Sequence, residues 1–269
     1  MRTVRGWRIG ALLAAVLLPL AAAGEPGVAV RKPRLLLVPE SVVNETAAQQ
    51  YTQIKRQAAA RQLLNRSEPV VTRVRAIAAR LIPHAHRFNP KSAQWAWEVN
   101  VIDAPMVNAF CMPGGKIMVF TGLIDRLKLT DDELAAVIGH EIAHAALEHG
   151  RARMSEAVLK QVGINLAAAY FGLSDLGTTV LAQAAHLAVT LPYSRSHETD
   201  ADLVGIELAA RAGFDPRAAV SVWRKMAALG GAQPPQLLST HPAHATRIRD
   251  LEAALPKVLP LYEAARGRG

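Results

Sequence analysis

The chain of 269 residues holds a single cysteine, Cys111, so no internal disulfide can form even in an oxidising compartment. Within Asn108-Ala109-Phe110-Cys111-Met112 that thiol reads as a small buried hydrophobe. Long apolar runs are also missing: none approaches the roughly 20 residues of a membrane-spanning helix. The nearest, Ile9 to Leu20, follows Arg2, Arg5 and Arg8 and precedes Ala21-Ala22-Ala23. That is the pattern of a secretory signal cleaved near Ala23, with an uncleaved anchor as the alternative, and the expected compartment is the periplasm. No cysteine follows the run, which excludes lipid attachment at a bacterial lipobox. The formal charge is +9, of which Arg2, Arg5 and Arg8 supply three. The remaining basic residues are scattered, apart from the tail Arg266-Gly267-Arg268-Gly269, and no zinc knuckle or stacking module accompanies them. Nucleic acid is therefore not an expected partner. A modestly basic surface suits acidic unfolded chains and peripheral association with anionic membrane headgroups.

What is present is His140-Glu141-Ile142-Ala143-His144, an H-E-x-x-H pattern on a helix. Histidines four apart share one helical face, so both imidazoles can reach one metal ion, while Glu141 stays close enough to act on a water there. A zinc ion so held lowers the pKa of a water to about 7, the chemistry of peptide-bond hydrolysis. Thr130-Asp131-Asp132-Glu133 supplies the helix start, with Thr130 as N-cap and Glu133 at the third position. Val137, His140, His144 and Leu147 form one stripe, so the histidines lie on a face the helix buries. A pair of hydrogen-bonded core histidines would satisfy the same pattern. His149 points away from that stripe on an ideal helix and reads as a surface or second-layer residue. A third ligand must come from elsewhere. Glu198 is the best candidate, with Asp202 one turn further on to accept the outer N–H of a ligand histidine. A solvated acidic face would give the same spacing.

The expected fold class is α+β, mostly helical, with a small sheet beside the H-E-x-x-H helix. Residues 24–38 are Pro-rich and basic and read as a flexible lead-in to one domain over 39–262, with 263–269 a disordered tail. Helical patterns cover 40–64 and 68–83. Gln94 to Asp103 alternates, with Trp95, Trp97, Val99 and Val101 on one face of a half-buried strand. Pro113-Gly114-Gly115 is a turn, and Lys116 to Phe120 a second strand. The free edge of such a sheet can hold an extended peptide by its backbone. Residues 152–191 are rich in Ala, Leu and Gly, interrupted by Asp175, Gln183 and His186, and are expected to form a helical hairpin over the site. Gly213 ends the Glu198 helix, Asp215-Pro216 starts another, and the last helix runs from Ala243 to Leu255.

Four blocks in order resemble metallopeptidase family 48, the gluzincin peptidases of the HtpX, LoiP and BepA type, over roughly residues 95–252. They are Asn108-Ala109-Phe110 with Pro113-Gly114-Gly115 and Thr121-Gly122-Leu123; Val137 to His144; Ser194-Arg195 with Glu198, Ala201 and Asp202; and Thr240-His241-Pro242 with Arg247-Ile248. The resemblance implies one Zn2+ per chain held by His140, His144 and Glu198, with Glu141 as general base and Asp202 behind the ligands. It places Asn108, Gly114 and Gly115 against substrate. His241 is either a ligand at the open coordination position or simply a helix-start residue before Pro242. The similarity is greatest to the periplasmic LoiP-like branch, without tetratricopeptide repeats. The implied activity is a zinc endopeptidase acting on misfolded or unassembled envelope proteins. A chaperone-like assembly factor, its zinc closed off by His241, is the alternative.

Overall fold

The structure is a computed structural model that describes residues 27–30, 33, 35–170, 193–229, 236–241 and 246–267. In chain order its elements are α1 (Glu40–Ala60), α2 (Glu68–Leu81), β1 (Glu98–Ile102), β2 (Ala109–Met112), β3 (Lys116–Phe120), α3 (Thr121–Leu127) and α4 (Asp131–Ala146). They continue with α5 (His149–Tyr170), α6 (Arg195–Arg211), α7 (Ala218–Ala228), α8 (Gln236–Thr240) and α9 (Thr246–Arg266). The α+β class is as expected: helices predominate and the three strands form one sheet, ordered β1-β3-β2.

Helices cover both faces of that sheet. β1 runs parallel to β3, and β2 runs antiparallel to it. Alternate side chains of β2 therefore go opposite ways. Ala109 and Cys111 join the main core with residues of α2 and α4, whereas Phe110 and Met112 pack with Ala47, Tyr51 and Ala58 of α1. The outer edge of β1 is partly closed by a bridge from Leu64 to Ile102, which among the described residues leaves β2 as the open edge. Four residues without a clear period are too short to announce a strand, and β2 was not anticipated as one.

Several expectations shift. The first strand spans only Glu98–Ile102, because a 3-10 turn at Pro90–Gln94, capped by the Asn89 side chain, precedes it. Trp97 instead packs its ring against Gly115. β1 is covered on both faces, since Asn100 is buried and donates to the Tyr51 hydroxyl at 3.0 Å. α1 stops at Ala60, ahead of Gln62 and Asn65, which both take positive φ. α2 stops at Leu81 and hands over to a 3-10 turn at Ile82–Arg87. The lead-in is docked rather than loose where it is described. Val28 N donates to buried Glu207 at 2.6 Å, Val38 N donates to Ser155 at 3.2 Å, and Arg151 donates to Val38 O at 2.7 Å. The last helix continues to Arg266 with Pro256 and Pro260 inside it, and so takes in residues 263–266 of the expected tail. Each proline removes a helical hydrogen bond, but Val258 and Leu261 remain buried against the core on the same helix. Of the expected 152–191 hairpin, α5 supplies the first half; residues 171–192, His186 among them, lie outside the described part. No helix among the described residues is long and apolar enough to cross a membrane.

α4 is the central helix, buried from Glu133 to His144 and beyond. Its capping box forms as expected: Glu133 N donates to Thr130 Oγ1 at 3.3 Å and Thr130 N donates to Glu133 Oε2 at 2.8 Å. Glu133 also receives Ser221 and Lys225, which fastens α7 to the start of α4. The closest crossing is with α6. A Cβ at Gly139 would lie 2.9 Å from Gly205 O, and one at Gly205 would lie 2.9 Å from His140 N. Backbone meets backbone, and only glycine permits it.

Gly205→Ala should therefore destabilise the protein by about 1–3 kcal/mol through overpacking. Gly150→Ala, whose Cβ would meet only Pro113 at 3.5 Å, should not. Chemical denaturation of the two variants beside wild type checks this.

Candidate metal centre

The α4–α6 crossing brings two segments fifty residues apart into one cluster. α4 presents His140 and His144 one turn apart, and α6, capped by Ser194 on His197 N at 3.2 Å, presents Glu198 and Asp202. A further group, His241, arrives at the end of α8, where its backbone N donates to Leu237 O at 2.8 Å. Donor atoms of His140, His144, Glu198 and His241 all lie within 4.8 Å of one another, and all four residues are buried.

The spacing fits a tetrahedral ion. Zinc bonds of 2.0–2.2 Å put tetrahedral donors about 3.3–3.6 Å apart. Here His140 Nε2 is 3.1 Å from His144 Nε2 and 3.3 Å from His241 Nδ1. Glu198 Oε1 is 3.4 Å from His144 Nε2 and 3.0 Å from His241 Nδ1, and Glu198 Oε2 is 3.6 Å from His140 Nε2. Three imidazole nitrogens and a carboxylate turned inward on a point suit a divalent cation better than they suit one another. Glu141, the residue after His140, keeps Oε1 buried without a hydrogen-bond partner, 3.6 Å from His241 Nε2.

Three of the inward groups, His140, Glu198 and His144, are backed by other side chains. Asp202 Oδ1 is 3.1 Å from His140 Nδ1, the position expected for a residue that fixes the tautomer. Arg247 holds both acids at once, with Nε and Nη2 on Asp202 at 2.6 and 2.7 Å and Nη1 on Glu198 Oε2 at 2.7 Å. Its guanidinium lies over the Trp223 ring, 3.6 Å from the centroid. Arg247 was visible in sequence only as part of a motif. Behind His144 stands His149, fully buried, the two Nδ1 atoms 3.0 Å apart. An ideal helix aims His149 elsewhere, but α4 ends at Ala146 and Glu148 takes a positive φ of 58°, which turns the chain back. Tyr193 stacks on His144 with centroids 3.9 Å apart, and Arg153 sits 3.5 Å from the tyrosine centroid. Sequence reasoning missed Tyr193, whose only signal was its place before Ser194-Arg195.

Electrostatics separates the roles. Burial raises Glu198, yet the His241 hydrogen bond and the nearby His140, His241 and Arg247 outweigh it and hold its pKa at about 2. For Asp202, burial is likewise outweighed by Arg247 and His140, so it too is lowered. Burial drives His144 well below its usual value, with His140 and His241 adding to the effect, which keeps its lone pair available. His140 goes the other way: burial lowers it, but the bond and charge of Asp202 raise it further. Glu141 is raised by burial, against the pull of His241 and His140. Burial also pushes Cys111 far up, in keeping with an inert thiol.

Beside this cluster opens a cavity of about 640 Å3, walled by α1, β2, Arg153, Tyr193, Glu141 and His241. Asn108 lines it. Gly114 and Gly115 do not; with φ of 77° and 80° they form the β2–β3 turn, and the Trp97 ring leaves no room for a Cβ on Gly115. His241 follows α8, and Pro242 lies outside the described residues.

Comparison with known proteins matches residues 70–255 to Peptidase family M48. The mitochondrial metalloendopeptidase OMA1 of Arabidopsis thaliana is 41% identical over 179 residues, covering 64% of this chain and 35% of the relative. The mitochondrial metalloendopeptidase OMA1 of Bos taurus is 34% identical over 202 residues, or 71% of this chain and 38% of the relative. The metalloprotease LoiP of Escherichia coli is 35% identical over 153 residues, 55% of this chain and 60% of the relative. The chain thus spans between about a third and three fifths of the length of these relatives. The LoiP-like branch is only one of those it resembles.

Arg247→Lys keeps the charge but loses the fork, and should weaken divalent-metal affinity about 10–100-fold. Competition with a chromophoric chelator measures it; an unchanged affinity would remove Arg247 from the support of the site.

Proposed function

The chain belongs to peptidase family M48, and from that premise we propose that it is a zinc-dependent endopeptidase. His140, His144 and Glu198 are its ligands and Glu141 its general base. The observation that carries this reading is the buried Glu141 carboxylate poised beside four convergent donors at the end of an open cavity. Zinc, when bound, polarises the scissile carbonyl and makes a water acidic enough to be deprotonated at neutral pH. Glu141 removes a proton from the attacking water and returns it to the leaving amine nitrogen. Its raised affinity for a proton suits both steps. Asp202 keeps the His140 ring oriented, and Arg247 balances the two buried acids. The open edge of β2 aligns the substrate backbone without demanding particular side chains.

His241 Nδ1 stands at the fourth corner of the donor set, the corner a reacting water would use. We read this as a closed resting arrangement that substrate displaces. The same contact favours the second reading, a chaperone-like assembly factor that seldom cleaves. An intact Glu141 weighs for the peptidase, because a closed site has no use for a base.

The substrates in this reading are misfolded or unassembled envelope polypeptides in the periplasm. The support for that compartment is the Arg2, Arg5, Arg8 and Ile9–Leu20 pattern, while the names of the OMA1 relatives point to mitochondria.

Glu141→Gln should lower casein cleavage on the order of 10²–10⁴-fold while metal content stays at the wild-type level. Full activity in that variant would eliminate the assigned base. His241→Ala should raise cleavage and leave the metal in place, checked by the same assay with and without chelator; an unaltered rate would take His241 out of the regulation.

A further inference from the structure

The cavity wall opposite the metal takes no part in that chemistry. Val43, Ala47, Gln50, Ile54, Ala58 and Arg61 follow one another at spacings of three and four along α1, and all line the cavity. One face of α1 is thus a wall about 27 Å long at a rise of 1.5 Å per residue. An extended chain advances about 3.3 Å per residue, so a segment lying along the wall would present about eight residues to it.

The sheet decides which side chains meet it. A strand added to the open edge of β2 continues the alternation seen in β2 itself, where Ala109 and Cys111 face the α4 side and Phe110 and Met112 face α1. Every second substrate side chain then points to α1. There it meets Ile54, Leu63, Phe110 and Phe120, an apolar lining. Charge along the cavity is one-sided. Among the described residues Glu141 is the one acidic residue that lines it, whereas Arg153 lies beside Tyr193 and Arg61 stands exposed just past the end of α1.

We propose that α1 is the specificity wall of this cavity, selecting extended segments whose alternate side chains are apolar and preferring an acidic to a basic residue at the Arg61 end. The inference rests on the peptidase reading above and gives it a substrate class: unfolded chain with the pattern of a strand that is buried on one face when folded. Such segments become accessible when sheet proteins fail to fold or assemble.

The test uses internally quenched peptides of identical composition, apolar residues alternating in one set and blocked together in the other, with Glu or Lys placed at each end in turn. Metal-loaded full-length protein should cleave the alternating set with kcat/KM about tenfold higher, and Glu at one end should outrun Lys about threefold. Ile54→Asp should erase the first ratio, and Arg61→Glu, at an exposed position, should invert the second. Fluorescence anisotropy on Glu141→Gln reads the same preferences as binding. Cleavage without preference, or equal binding of both sets, overturns the wall alone. Selective binding with no hydrolysis by wild type keeps the wall and overturns the endopeptidase.

Discussion

The backbone contact between Gly139 and Gly205 is the constraint on which the centre depends. Two helices with ordinary side chains at their crossing stand 8–10 Å apart. Here either Cβ would intrude to 2.9 Å on the partner backbone. His140 adjoins this crossing directly, and Glu198 and Asp202 lie on the same helix as Gly205. Their reach toward His140 and His144 is therefore set by main-chain contact and not by long, adjustable side chains. Donors that all lie within 4.8 Å of one another, five of their separations between 3.0 and 3.6 Å, tolerate little slack, and main-chain packing is the stiffest means of holding them so.

Burying two carboxylates beside three imidazoles would be costly without a counter-charge. Arg247 provides one, spanning Glu198 and Asp202 with a planar fork and resting its face on Trp223. The consequence is long-range. α9, which carries Arg247, becomes part of the metal site although it contributes no ligand, and α7, through Trp223 and through Lys225 on Glu133, holds both ends of the arrangement. α4, α6 and the last helix form one electrostatic unit.

The same sheet serves core and cleft. Its inner face packs against α4 and so backs the helix that carries His140, Glu141 and His144; its outer face packs against α1 and shapes the cavity wall. The short β2 between them was hard to foresee: four residues, half of them facing each layer, leave no run of hydrophobic periodicity. Trp95 and Trp97 misled in the opposite direction, because their alternation with Val99 and Val101 carried a strand pattern back into the irregular link that joins a 3-10 turn to β1.

Local chemistry was legible along the chain. Thr130 and Glu133 announce the start of α4, Gly213 the end of α6, and His140, Glu141 and His144 their shared face, because capping and helical periodicity act over a few residues. Glu198 and Asp202 could be paired by their spacing, yet whether that face was solvated or turned to the histidines was open in the sequence. Tertiary packing decided it, through a glycine crossing that no local pattern specifies. It also decided the roles of His149, turned inward by the positive φ at Glu148, and of Arg247 and Tyr193. Their partners lie tens of residues away, and only the folded chain brings such groups within bonding distance.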